Sequence, residues 1–188
     1  MANAQSFWGV AHATPATCVT TASTSALTCN GNGDGLVYPS TGSNESYRFW
    51  QHLANAGLIE GTYDGITHGS NNFSSTTENS PRGRLSNSLW FVWNWTLPQS
   101  GQWVFDGDYG NRLSTGVQAA NSEPSNSLLT PSEQWNIDTK MDDGLPAQGK
   151  VKAAWNGCTT ATASNQLSAT YQLSQASKAC MPLFVQAF

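Results

Sequence analysis

The chain has 188 residues and a formal net charge of −4, with 8 Lys and Arg against 12 Asp and Glu. Only 11% of residues are charged, far below the roughly 25% of an ordinary soluble domain, and Ser, Thr, Asn and Gln supply 68 residues instead. Scattered, outnumbered cations exclude nucleic-acid binding through a basic patch. Scarce Glu and Lys beside 17 Gly argue against a coiled coil, and the 8 Trp argue against wholesale disorder.

Length predicts one domain spanning residues 1–188. No run approaches the roughly 18 apolar residues of a membrane helix. Met1-Ala2-Asn3-Ala4-Gln5-Ser6 carries neither the basic region nor the apolar run of a signal peptide. The hydroxyl-rich, charge-poor composition with paired cysteines is nonetheless that of a secreted protein, so an export segment ahead of Met1 is expected.

Residues 1–42 read as loop, ending near the turn-rich run Asn30-Gly31-Asn32-Gly33-Asp34-Gly35. A short helix is predicted over 43–57, capped by Ser43 or Asn44, with Glu45 in its first turn and Gly57 as its stop. Tyr47, Trp50, Leu53 and Ala54 share its apolar face, and Leu58-Ile59 would anchor its exit. Residues 61–87 read as a long surface excursion with one short strand. Leu89 to Leu97 alternates, Phe91, Trp93, Trp95 and Leu97 on one face and Trp90, Val92, Asn94 and Thr96 on the other. A turn at 98–101 would join it to a second strand, Gln102 to Asp106, as a β-hairpin. Residues 107–129 read as irregular. Thr130-Pro131-Ser132-Glu133 is a helix start, with Thr130 as N-cap, Pro131 at the first helical position and Glu133 closing a capping box. That helix carries Trp135, Ile137 and Met141 and ends at Asp142-Asp143-Gly144, before Pro146. Strands are predicted at Val151–Trp155, Ser168–Leu173 and Cys180–Phe188, with a loop at 156–166.

Four cysteines allow three pairings. Local pairing, Cys18 with Cys29 and Cys158 with Cys180, is favoured because each pair brackets its own Ser/Thr-rich segment. Zinc through cysteine would need close C-x2-C spacing, which is missing.

The Asn30–Gly35 run places oxygen-bearing side chains at alternate positions with Gly at the sixth, like the front half of a calcium loop. The twelfth position is Thr41 rather than a bidentate Glu, so Glu45 is the residue that could close the site. The ligand set is then Asn30, Asn32, Asp34, the Leu36 carbonyl and Glu45. The competing reading is an ion-free Asn/Gly turn. A second candidate is Asp138, Asp142 and Asp143. Asp138 and Asp142 lie four apart on one helix face, at a C-terminus where the macrodipole disfavours negative charge. The plainer reading, a carboxylate network bonded to backbone N–H groups around Gly144, is preferred there.

No G-x-S-x-G elbow is present, and His12, His52 and His68 lack nearby catalytic motifs, so an enzyme is not expected. Trp90, Trp93, Trp95 and Trp103 could form a sugar-stacking platform, but a strand so aromatic more often lines a core. Three glycosylation patterns, at Asn44, Asn72 and Asn94, are at chance level in so Asn- and Ser-rich a chain.

Several segments together resemble the bacterial type IV pilin-like family and its type II secretion pseudopilins. Asn3-Ala4 with Phe7-Trp8-Gly9 is similar to the stretch after the pilin stalk helix, and Asn30–Gly35 to an N-G-N-G-D-G loop. Glu45 and Phe49-Trp50-Gln51-His52-Leu53-Ala54-Asn55-Ala56-Gly57-Leu58-Ile59, continued by Gly61, Tyr63 and Gly65, resemble the family's WQHLA–AGLI helix. Ile137-Asp138-Thr139-Lys140-Met141-Asp142-Asp143-Gly144, with Pro146 and Gly149, resembles its IDTK-x-DDG-x-P segment, and Cys158 and Cys180 its C-terminal disulfide pair. The resemblance implies an α+β pilin-like head, with an antiparallel sheet, short helices and long loops, and with the N-terminal stalk helix absent from this chain. It implies a structural subunit, minor pilin or pseudopilin-like, of an extracellular or periplasmic filament. Its partners would be other pilin-like subunits. It would touch the inner membrane, before assembly, only through the missing helix. A calcium ion is a cofactor that some pseudopilins need. The alternative is a secreted carbohydrate-binding or adhesive module using its tryptophans.

Overall fold

The computed structural model describes Ala4 and residues 28–38, 44–70, 73–85, 87–95, 103–154 and 156–188. Among the described residues the elements are α1 (Glu45–Asn55), β1 (Ser88–Trp95), β2 (Gly110–Val117), α2 (Pro131–Met141), β3 (Val151–Ala153) and β4 (Pro182–Phe184). The strands form one sheet of order β1-β2-β4-β3, so the described residues are mixed α+β, with an antiparallel four-stranded sheet and two helices. The fold divides into two compact units. The first holds residues 1–93 and 118–124, and the second holds 94–117 and 125–188.

In the first unit α1 stops where expected. Gly57 adopts φ 70, its N–H bonds the Ala54 carbonyl, and the Leu58 N–H bonds the Leu53 carbonyl. This is the paired C-terminal closure that favours glycine. The start differs from expectation. Asn44 sits at the N-cap in a left-handed conformation with no side-chain cap bond, and its Oδ1 accepts the Thr67 N–H at 3.3 Å instead. The buried face also differs. Tyr47 and Trp50 are buried as expected, but so are Arg48, Gln51 and His52, while Leu53 and Ala54 are half-buried and Leu58 is 68% exposed. Polar side chains take core positions because they bond one another, as in Arg48 Nη1 to Gln51 Oε1 at 2.9 Å.

Among the described residues of 61–87 no strand forms, only an isolated bridge from Arg82 to Leu89, and the segment is more than a surface excursion. Tyr63, Asp64, Ser74, Ser75, Asn79 and Ser80 are buried. The Asn79 amide donates to the Ile66 and Ser74 carbonyls at 2.8 and 3.0 Å, closing the loop on itself. Phe91 meets Tyr47 at 5.9 Å between ring centroids, and Trp93 stacks on Phe73 at 4.8 Å. β1 is buried on both faces, with only Trp90 and Trp93 half-buried, so its alternation does not separate core from solvent.

In the second unit the described residues 103–106 of the predicted strand Gln102–Asp106 form no strand. Val104 makes one isolated bridge to Ala154, and the neighbour of β1 in the sheet is β2, inside the segment expected to be irregular. β2 reads Gly-Asn-Arg-Leu-Ser-Thr-Gly-Val and lacks apolar alternation because it buries polar side chains: Asn111, Arg112, Ser114 and Thr115. Arg112 lies over the Trp95 ring at 4.2 Å, a cation–π contact made stronger by burial. Leu113 pairs with Phe184, which pairs with Val151 across the sheet.

α2 has its full capping box, with the Glu133 N–H on Thr130 Oγ1 at 3.2 Å and the Thr130 N–H on Glu133 Oε2 at 2.8 Å. Its buried residues are Pro131, Gln134 and Asp138; Ile137 packs partly against the core, while Trp135 and Met141 face outward. Gln134 Nε2 reaches the Lys152 carbonyl at 3.0 Å, pinning the helix to β3. The core beneath holds Leu128, Leu129, Ala153, Cys158, Tyr171 and Cys180. Ser168–Leu173 is no strand either: Tyr171 makes a single bridge to Thr159. The expected C-terminal strand shortens to β4.

Candidate functional site

The Asn30–Leu36 loop closes through its own side chains. Asn32 Oδ1 accepts the Asp34 N–H at 3.2 Å, and Asp34 Oδ1 accepts the Leu36 N–H at 2.9 Å. Asn32 Nδ2 donates to Asp34 Oδ2 at 2.6 Å. The Leu36 N–H and then the Asn32 amide hold the Asp34 carboxyl below its ordinary range. Asn30 Oδ1 accepts the Ala4 N–H at 2.9 Å, and Glu45 Oε2 accepts the Tyr38 N–H at 3.2 Å. Asn32 and Asp34 are thus brought together. Asn30 and Glu45 each serve a different backbone group. The donor set is all oxygen, which suits calcium, but a cation would have to displace the Asn32–Asp34 bond.

Asp138, Asp142 and Asp143 do converge, with one carboxylate oxygen of each within 4.8 Å of the others. Their oxygens serve the backbone. Asp138 is fully buried; its Oδ1 accepts the Gly144 N–H at 3.1 Å and its Oδ2 the Tyr171 hydroxyl at 2.7 Å. Asp142 Oδ2 accepts the N–H groups of Lys150 and Val151, the latter at 3.0 Å, and Asp143 Oδ1 accepts the Leu145 N–H at 2.8 Å. Burial pushes the Asp138 carboxyl up to about 6, against the bonds from Tyr171 and Gly144. The two glycines of this segment now have reasons. At Gly144, φ 73, a Cβ would crowd Thr139 Oγ1; at Gly149, φ 61, a Cβ would occupy the space of the Asp142 carboxylate. The segment is a hydrogen-bonded buckle joining the end of α2 to the start of β3.

The disulfide Cys158–Cys180 is present, with Cα atoms 4.8 Å apart. Cys29 is also disulfide-bonded. Cys18, the Ser43 cap, the 98–101 turn, Trp155, Phe7-Trp8-Gly9 and Asn72 lie outside the described residues. Trp95 meets Trp103 at 5.9 Å, but Trp95 is buried beneath Arg112 rather than presented to a ligand. Asn44 and Asn94 are buried and engaged, Asn94 with Asn111 Oδ1 at 2.8 Å, so neither offers a glycosylation acceptor in the folded chain. Burial, with Arg48 adding, pushes His52 down to about 4, which makes it a neutral structural side chain.

Sequence reasoning passed over one further group: Asp64, His68 and Glu78, with one ligand atom of each within 4.8 Å of the others. The only signal in the sequence was the four-residue spacing of Asp64 and His68. Glu78 joins them because the loop folds back, the Asp64 N–H bonding the Glu78 carbonyl at 3.0 Å.

No family model matches the chain, and neither a curated protein nor a solved structure matches it.

Proposed function

We propose that this chain is a non-enzymatic head of a pilin-like subunit, minor pilin or pseudopilin-like, in an extracellular or periplasmic type IV pilus or type II secretion filament. The observation that carries the reading is the buckle at 138–151. In the resemblance, Asp138, Asp142, Asp143, Gly144 and Gly149 were motif letters; here each has a physical task in one connected turn. The charge-poor composition and the disulfide closing the C-terminal loop support an oxidising compartment outside the cytoplasm. Calcium belongs to the proposal at Asn30, Asn32, Asp34, Leu36 and Glu45, where it would add a cross-link between loop and helix. The Asp138, Asp142 and Asp143 cluster fits an ion less well, because backbone donors already take its oxygens.

The test reads the gene upstream of Met1 and probes sheared surface fractions with an antibody to the chain. A leader followed by a helix of roughly 20 apolar residues, with the chain in the filament fraction, supports the proposal. An ordinary cleaved signal peptide, with the chain free in the medium, overturns it.

A further inference from the structure

We propose that Asp64, His68 and Glu78 bind a divalent transition-metal ion of the zinc class. Three observations meet at this group. First, His68 is flanked by a carboxylate at each ring nitrogen: Nε2 against Asp64 Oδ2, and Nδ1 against Glu78 Oε2 at 3.2 Å. A neutral imidazole has one N–H. One nitrogen can then donate to its carboxylate while the other offers a lone pair to a cation.

Second, the donor set selects the metal. An imidazole nitrogen, Nδ1, with the Glu78 carboxylate beside it suits zinc and its first-row neighbours, with Asp64 on Nε2 as the orienting carboxylate, whereas calcium takes six to eight oxygens. Metal-bound histidines commonly hold a carboxylate on the second nitrogen, which orients the ring. Third, the group is anchored at one end and open at the other. Asp64 is buried and its Oδ1 accepts the Ile66 N–H at 3.2 Å, while the side chains of His68 and Glu78 are 26% and 69% exposed. Exposed Glu78 can close the remaining distance to an ion, and water can complete the coordination. Arg48 interacts electrostatically with Asp64 and opposes a cation there, which limits the affinity. The site stands independently of the filament reading.

The experiment is calorimetric titration of the chelator-treated full chain with zinc chloride alone. The expected result is one ion per chain, with affinity falling roughly tenfold or more in His68→Ala and in Glu78→Gln and unchanged in Asp142→Asn. Glu78→Gln is the decisive variant, since an exposed side chain can change without unfolding the loop, and circular dichroism checks both variants. Absence of zinc binding at submillimolar concentration overturns the proposal. Binding that survives both His68→Ala and Glu78→Gln overturns it too.

Discussion

Tyr171 donates its hydroxyl to Asp138 Oδ2 at 2.7 Å, joining two residues 33 apart in the chain inside the core of the second unit. The bond explains why a carboxylate is tolerated there. It also fixes Asp138 so that its other oxygen meets the Gly144 N–H. Burial raises both groups: Asp138 to about 6, and the Tyr171 phenol well above its ordinary range, with the Asp138 carboxylate as a further cause.

The pH dependence follows from the sign of the Asp138 shift. The folded chain holds this proton up to about 6, the unfolded chain only to 3.8. Between those values the folded state binds more protons, so this group's contribution to stability falls as pH rises through the window. Above it the cost of the buried charge is complete. Asp138→Asn should remove the slope. Urea unfolding of both proteins across that window checks it; identical pH profiles would place the titration elsewhere.

Gly149→Ala should be more destabilising than Gly157→Ala. Both glycines have positive φ, 61 and 76, so both variants carry a left-handed backbone cost of roughly 1–2 kcal/mol. Only at Gly149 does the new Cβ meet a carboxylate, that of Asp142, which holds the Val151 N–H at 3.0 Å. At Gly157 the nearest atom is the Ala179 Cβ at 3.7 Å. Equal losses in denaturant melts would show that Asp142 moves aside freely and that the buckle is slack.

The parts legible in the sequence are those whose partners lie close along the chain. The α2 capping box uses Thr130 and Glu133 alone, and the α1 stop uses Leu53 to Leu58. β2 was not legible because its burial is polar: Asn111 bonds Asn94, and Arg112 lies on Trp95. Such pairs leave no apolar period to read. Ser168–Leu173 misled for the opposite reason. Its alternation is real, but Tyr171 serves Asp138 rather than a ladder. At the sites, the spacing of Asp138 and Asp142 revealed their convergence, whereas the approach of Glu78 to His68 depends on a loop closure that spacing does not encode.

Removing the Cys158–Cys180 bridge should cost about 3 kcal/mol, since it closes a 22-residue separation and restricts the unfolded chain. The double variant Cys158→Ala, Cys180→Ala should unfold at lower urea with little change in native circular dichroism. Peptide mapping of the unreduced chain should give this pair and Cys29 with Cys18. A crossed linkage would refute the local pairing.

Calcium should raise the melting temperature only at millimolar concentration. The loop offers two carboxylates, Asp34 and Glu45, and weak sites of that kind fall near 10⁻⁴–10⁻³ M, roughly, in extracellular modules. An ion must also break the Asn32–Asp34 bond of 2.6 Å and draw in Glu45, whose Oε2 serves the Tyr38 N–H. Gly33 and Gly35, at φ 81 and 79, keep the backbone curled for this without side-chain strain. Asp34→Ala should abolish the shift, and Asp142→Ala should keep it while lowering the melting temperature itself, because Asp142 holds the start of β3. Thermal melts with calcium and with chelator decide between the loops. No shift at millimolar calcium in the wild type would mean that the loop is closed by its own hydrogen bonds alone. A shift that survives Asp34→Ala and vanishes in Asp142→Ala would move the ion to the α2 terminus.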